Sequence, residues 1–180
     1  MRIGSSLLIL LLIIVVFACF FSAFSPAEFS SIFSGGEFKV RLLDENGNVV
    51  QCQRTPLSIA KVPVEYIELS LKYKANSTPI TVKFVVEGVT IYYGYGYYQN
   101  YKLNKVVYEK EFTKNYIQLA IKTRIKPLIE YLLNIDLERI EGTTLVLKIH
   151  AVCDNVESDN ILVYLFVKSD GQLYAEKVST

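Results

Sequence analysis

Apolar and polar positions along the chain sort into three regimes. From Leu7 to Phe21 the residues are apolar without a break, and Ser22, Ala23 and Phe24 extend the run to 18 residues. From about residue 38 the pattern shortens to the two-residue period of half-buried strands. A third stretch, Thr113 to Ile140, places Ile117, Ile121, Ile125, Ile129 and Leu132 at three- and four-residue spacings. That spacing predicts an amphipathic helix over about 114–140, started by Thr113, broken or restarted at Pro127 and stopped near Gly142, although Ile117-Gln118-Leu119-Ala120-Ile121 also fits a strand.

Within the strand regime, Phe38 to Leu43 leads into Asp44-Glu45-Asn46-Gly47-Asn48 and Val49 to Cys52 returns. Asn-Gly predicts a tight hairpin here, because both central residues of a type I′ turn need positive φ. Ile67, Leu69, Leu71 and Tyr73 alternate with polar residues until Asn76-Ser77-Thr78-Pro79 ends the strand. Ile80 to Val86 continues into Val89 to Tyr93 through Gly88, where a bulge is expected. Leu103 to Phe112, Leu145 to Val152 and the apolar Ile161 to Val167 read as further strands, and Asp170-Gly171 turns the chain into Leu173 to Val178. Eight or nine strands joined by hairpins, with one helical insertion, predict an antiparallel β-sandwich of Ig-like or jelly-roll-like type. A parallel α/β fold is not expected, since strands and helices do not alternate.

The first regime reads as a membrane segment. Eighteen residues make a helix of about 27 Å, close to the ~30 Å bilayer core. Arg2 is the only charge before Glu28, so the positive-inside rule puts the N-terminus in the cytoplasm and the rest outside. Three fates compete for residues 1–24. They are a retained signal anchor, cleavage near Ala27 after the small residues Ser25-Pro26-Ala27, and lipidation at Cys19; the retained anchor is preferred. Residues 25–37 then form a stalk, and 38–180 form the extracytoplasmic domain.

Composition narrows the function. From Glu28 onward the chain carries 18 basic and 18 acidic side chains, with no basic face to bind nucleic acid. His150 is the only histidine, and no nucleophile elbow, zinc-protease motif or phosphate loop accompanies it. The acidic pairs Glu65/Glu68 and Asp136/Glu138/Glu141 read as solvated faces. No catalytic residue, metal or cofactor is expected. Cys52 and Cys153 sit at strand ends and outside a cell would oxidise to a disulfide. Closing a loop of about 100 residues, that bond is nominally worth ~4–5 kcal/mol. Asn76-Ser77-Thr78 is a glycosylation sequon in an expected turn.

One stretch is rich in contact chemistry. Tyr92, Tyr93, Tyr95, Tyr97, Tyr98 and Tyr101 fall within ten residues, interleaved with Gly94 and Gly96. Tyrosines give large contact area at low entropic cost and a hydroxyl besides, which suits recognition of proteins or sugars. The layout resembles the anchored β-sandwich components of archaeal surface appendages and the envelope proteins of archaeal viruses, in architecture alone. The expectation is therefore a membrane-anchored, non-enzymatic structural or interaction domain that contacts an envelope protein or copies of itself. A carbohydrate-binding module is the alternative, and a carboxylate-dependent hydrolase a remote third.

Overall fold

The computed structural model describes residues 25–52 and 63–176. The expected N-terminal membrane helix lies outside these. Among the described residues no helix is long and apolar enough to cross a membrane.

The fold is mainly β, with two antiparallel sheets and one helix. The four-stranded sheet runs in the order β2 (Glu28–Phe33), β3 (Gly36–Leu43), β5 (Tyr66–Lys74), β8 (Tyr116–Arg124). The larger sheet runs β12 (Leu173–Glu176), β11 (Ile161–Val167), β9 (Thr144–Cys153), β6 (Ile80–Gly94), β7 (Tyr97–Phe112), with β10 (Val156–Glu157) hairpinned onto β9. A short ribbon pairs β1 (Ser25–Pro26) with β4 (Gln51–Cys52). Nine of the described strands have four residues or more, in line with the count expected from alternation.

Period-two alternation turns one face of each sheet inward. Phe38, Val40 and Leu42 of β3 and Ile67, Leu69 and Leu71 of β5 are buried, as are Val82, Phe84, Val86, Val89 and Ile91 of β6. Phe84 joins the sheets, its ring 5.3 Å from that of Phe38 across the core and 5.5 Å from Tyr108 on the neighbouring strand. The two sheets thus face each other in a sandwich-like arrangement around one core.

Three expectations need correction. The helix is much shorter than 114–140: residues Tyr116–Arg124 are strand β8, paired along its length with β5, and only α1 (Ile125–Leu133) and a 3₁₀ turn (Leu137–Ile140) are helical. Pro127 lies in the first turn of α1, where its missing N–H costs no hydrogen bond. The helix buries Ile125, Ile129, Leu132 and Leu133 and lies between the open edges β7 and β8. Residues 25–37 form no stalk, because β2 pairs with β3 and Ala27 is fully buried. At Asp44–Asn48 the chain turns back beside β3 as expected, Val49 bridging Leu43 antiparallel and the Val50 N–H donating to Leu42 O, but only Gly47 has positive φ, so the turn is not type I′. The Asp44 carboxylate accepts the Asn48 N–H at 2.8 Å, and β4 then pairs with β1.

The Cys52–Cys153 disulfide is the fourth correction. Cys153 is a free, fully buried thiol. It ends β9 beside Val82, whereas β4 packs near β12, whose partner strand meets the opposite end of β9 at Thr144. Nine residues of strand separate those ends by about 30 Å, and a disulfide needs Cα atoms within ~7 Å. Burial first, and the neighbouring Asp154 second, push the Cys153 thiol up to about 12.

Two predictions follow from the core. Phe84→Ala should cost about 3–5 kcal/mol in denaturant unfolding, because it leaves a cavity that neither sheet can fill; a loss below ~1 kcal/mol would mean the sheets are not joined there. In a Cys19→Ser, Cys52→Ser background, Cys153 should resist alkylation at pH 8 until denaturant is added. The thiol's folded value lies above its ordinary 9.0, so its contribution is intact below pH 9 and is lost as pH rises towards 12. A Cys153→Ala variant should accordingly show a flatter loss of stability over that window.

Candidate functional site

The tyrosine-rich stretch is not a loop. Strand β7 extends back to Tyr97, so that β6 and β7 form one hairpin with paired residues up to Gly94 and Tyr97. Tyr95 (φ 50°) and Gly96 (φ 82°) are the two turn residues, both in the left-handed region that a type I′ hairpin requires. The expected Gly94-Tyr95-Gly96 loop is therefore a tight turn, and the residues assigned to its surroundings are strand.

Register decides which way each tyrosine points. Tyr92 pairs with Tyr98 on the outer face of the larger sheet, their rings 5.9 Å apart, next to a Thr90 hydroxyl that donates to Asn100 Oδ1 at 2.7 Å. Tyr97 and Tyr101 lie on the other face by alternation, whereas Tyr93 is unpaired at a register shift between Tyr92 and Gly94. Tyr101 opposes Val89 and packs against the core. Tyr97 lies past the core's end, and the Tyr93 hydroxyl donates to Gln99 Oε1 at 3.4 Å. Exposure rises towards the apex, from 45% at Tyr92 and Tyr93 to 75% at Tyr97 and complete exposure at Tyr95. Five of the six expected residues are thus gathered at one tip, and the sixth, Tyr101, is partly buried.

Tyr95 contributes no packing, yet occupies a backbone conformation that favours asparagine or glycine. At an apex that any polar residue would satisfy, its presence costs stability without structural return.

The remaining candidates are accounted for by ordinary contacts. Glu68 pairs with Arg41 at 3.3 Å and Glu65 with Arg124 at 3.5 Å. Asp136 accepts the Glu138 N–H, and Glu138 faces Lys126 at 3.7 Å. Asn76 is exposed in the turn between β5 and β6. Among the described residues no group of three or more His, Cys, Asp or Glu side chains is placed to hold a metal ion.

One cluster was not legible in the sequence. The β6 bulge leaves Glu87 without a partner in either ladder, and its carboxylate accepts from Lys148 Nζ at 2.9 Å on the outer face of β9. The Lys148 ammonium holds Glu87 below the usual carboxylate range. His150 stands two residues along the same face, its Nδ1 enclosed without a hydrogen-bond partner.

Tyr95→Asn should raise stability by about 0.5–1 kcal/mol, because asparagine tolerates the left-handed turn position. Chemical unfolding of both proteins measures it, and a loss of stability would show that the Tyr95 ring supports the fold.

A comparison with protein-family models gives no match, and a comparison with curated proteins gives none either.

Proposed function

We propose that the protein is a membrane-anchored, non-enzymatic β-domain that works outside the cytoplasm as an interaction component of an envelope or surface assembly. The observation that carries this reading is the β6–β7 hairpin, which projects five exposed tyrosines from the open edge of a sheet. Strand β7 is an edge strand of 16 residues with one ladder side unpaired; α1 adjoins part of it, and the remainder is a backbone surface that a second strand can extend. Exposed Val106 and Tyr98 flank that edge. The partner is an envelope protein or a second copy of the chain.

Anchoring rests on the 18-residue apolar run and the charge asymmetry around it. Retention of the run suits the fold better than cleavage near Ala27. Ser25 and Pro26 pair with Cys52 and Gln51, and the Ala27 N–H donates to Val50 O at 2.9 Å, so cleavage there would remove strand β1. On the same reading Asn76 is available for glycosylation.

A second reading has one observation of its own. The Tyr92–Tyr98 pair beside Thr90 and Asn100 sets two rings next to hydrogen-bonding groups, as a sugar-binding surface does. Loss of glycan retention in Tyr98→Ala would support it, and absence of retention in the native chain would remove it.

The main proposal is tested by photo-crosslinking the full chain in its membrane. A benzophenone side chain at Val106 or Tyr98 should give one discrete adduct, a dimer or a single envelope protein. The same group at Tyr116, on the four-stranded sheet, should not. Equal labelling at all three positions, or none, would overturn the reading.

A further inference from the structure

The tyrosine tip lies at the end of the sandwich where the apolar run joins the domain. Residue 25 follows that run without a spacer, and β1 holds it beside β4. The Val50 N–H donates to Leu42 O, which places this ribbon at the Leu43 end of β3. Leu43 pairs with Tyr66 and Tyr66 with Arg124 across the four-stranded sheet. The Val64 N–H donates to Leu173 O at 2.7 Å and carries the same end over to the larger sheet. There Leu173 pairs with Val167, Phe166 with Thr144, Thr144 with Tyr92 and Tyr92 with Tyr98. Tyr73, Tyr116, Cys153 and the Asn76 turn lie at the opposite end.

At this shared end the two features occupy opposite flanks. The chain entry adjoins β12 and the tyrosine tip ends β7, five strands across. Four strand spacings put them roughly 20 Å apart. The tip also presents aromatic rings on both faces and at its apex, not as one flat platform. That distribution matches an environment that is alike on all sides, such as the headgroup zone of a bilayer. There a tyrosine ring enters the acyl boundary while its hydroxyl stays hydrated.

We propose that Tyr93, Tyr95 and Tyr97 rest in the interface of the bilayer that holds residues 7–24, giving the domain a second membrane contact. Two contacts on opposite flanks fix how the sandwich stands on the surface. They turn the β7 edge and the Tyr92–Tyr98 face sideways towards a partner and the Asn76 end away from the lipid. This inference rests on the anchoring part of the proposed function.

The chain contains no tryptophan, so Tyr95→Trp supplies a single reporter. The full-length variant is reconstituted into phosphatidylcholine vesicles containing brominated phosphatidylcholine, with Tyr97→Trp as a second probe and the exposed Tyr116→Trp as the control at the far end. Both tip probes should emit at shorter wavelength than the control and be quenched by bromolipid roughly twofold more, as interfacial indoles are. Tip probes as open to aqueous iodide as Tyr116→Trp, in protein that floats with the vesicles and resists alkaline extraction, would overturn this inference and leave the anchor standing. Protein that does not float with the vesicles would overturn both.

Discussion

The bulge at Glu87 and Gly88 sets the phase of strand β6, and the tyrosine end depends on it. Before the bulge the inward residues of β6 are even-numbered, from Ile80 to Val86; after it they are odd, Val89 and Ile91. A strand that kept regular alternation through Glu87 and Gly88 would turn Val89 and Ile91 outward and drive Thr90 and Tyr92 into the core. Glycine is required at the point of re-phasing, since a Cβ on Gly88 would lie 2.7 Å from Tyr101 O. The same bulge releases Glu87 to meet Lys148 on the outer face. Core register, the outward Tyr92–Tyr98 pair and the one ion pair on that face of β9 therefore share a single local cause.

Much of this architecture was legible as alternation, and its failures have physical reasons. Strand β5 alternates cleanly enough to be read directly, and β9 and β11 read as short, largely apolar runs. Strand β8 was read as helix because Ile117, Ile121 and Ile125 recur every four residues, a spacing that satisfies a period of two as well as one of 3.6. Only Leu119, half-buried between them, separates the two. In β2 the inward positions are Phe29, Ser31 and Phe33, and the outward Ile32 is 80% exposed. A small polar residue facing in and a large apolar one facing out hide the strand. The cysteines were correctly placed at strand ends, but sequence carries no record of which end of a sandwich a strand finishes at, and theirs are opposite.

The candidate site was legible in composition and not in shape. Six close-set tyrosines were conspicuous, while their division between two faces came only from pairing register. Glu87 and Lys148 are 61 residues apart and join only through a bulge.

Tyr101 and Tyr97 point to the same side of the hairpin, and their fates differ by reach alone. Tyr101 opposes Val89 and finds the core, whereas Tyr97 sits two pairs beyond the last buried position, Ile91, and Tyr93 is unpaired at the register shift between Tyr92 and Gly94. The chain thus has aromatic surface to bury and a core to bury it in, but carries the rings past the point where burial is possible. Tyr95 adds a turn conformation that a smaller residue would hold at less cost. Folding selects against both features, since neither improves the packing of this domain. On the proposed function, what the tip gains from its tyrosines is supplied from outside the sandwich, by the surface that the projecting end of β6 and β7 meets.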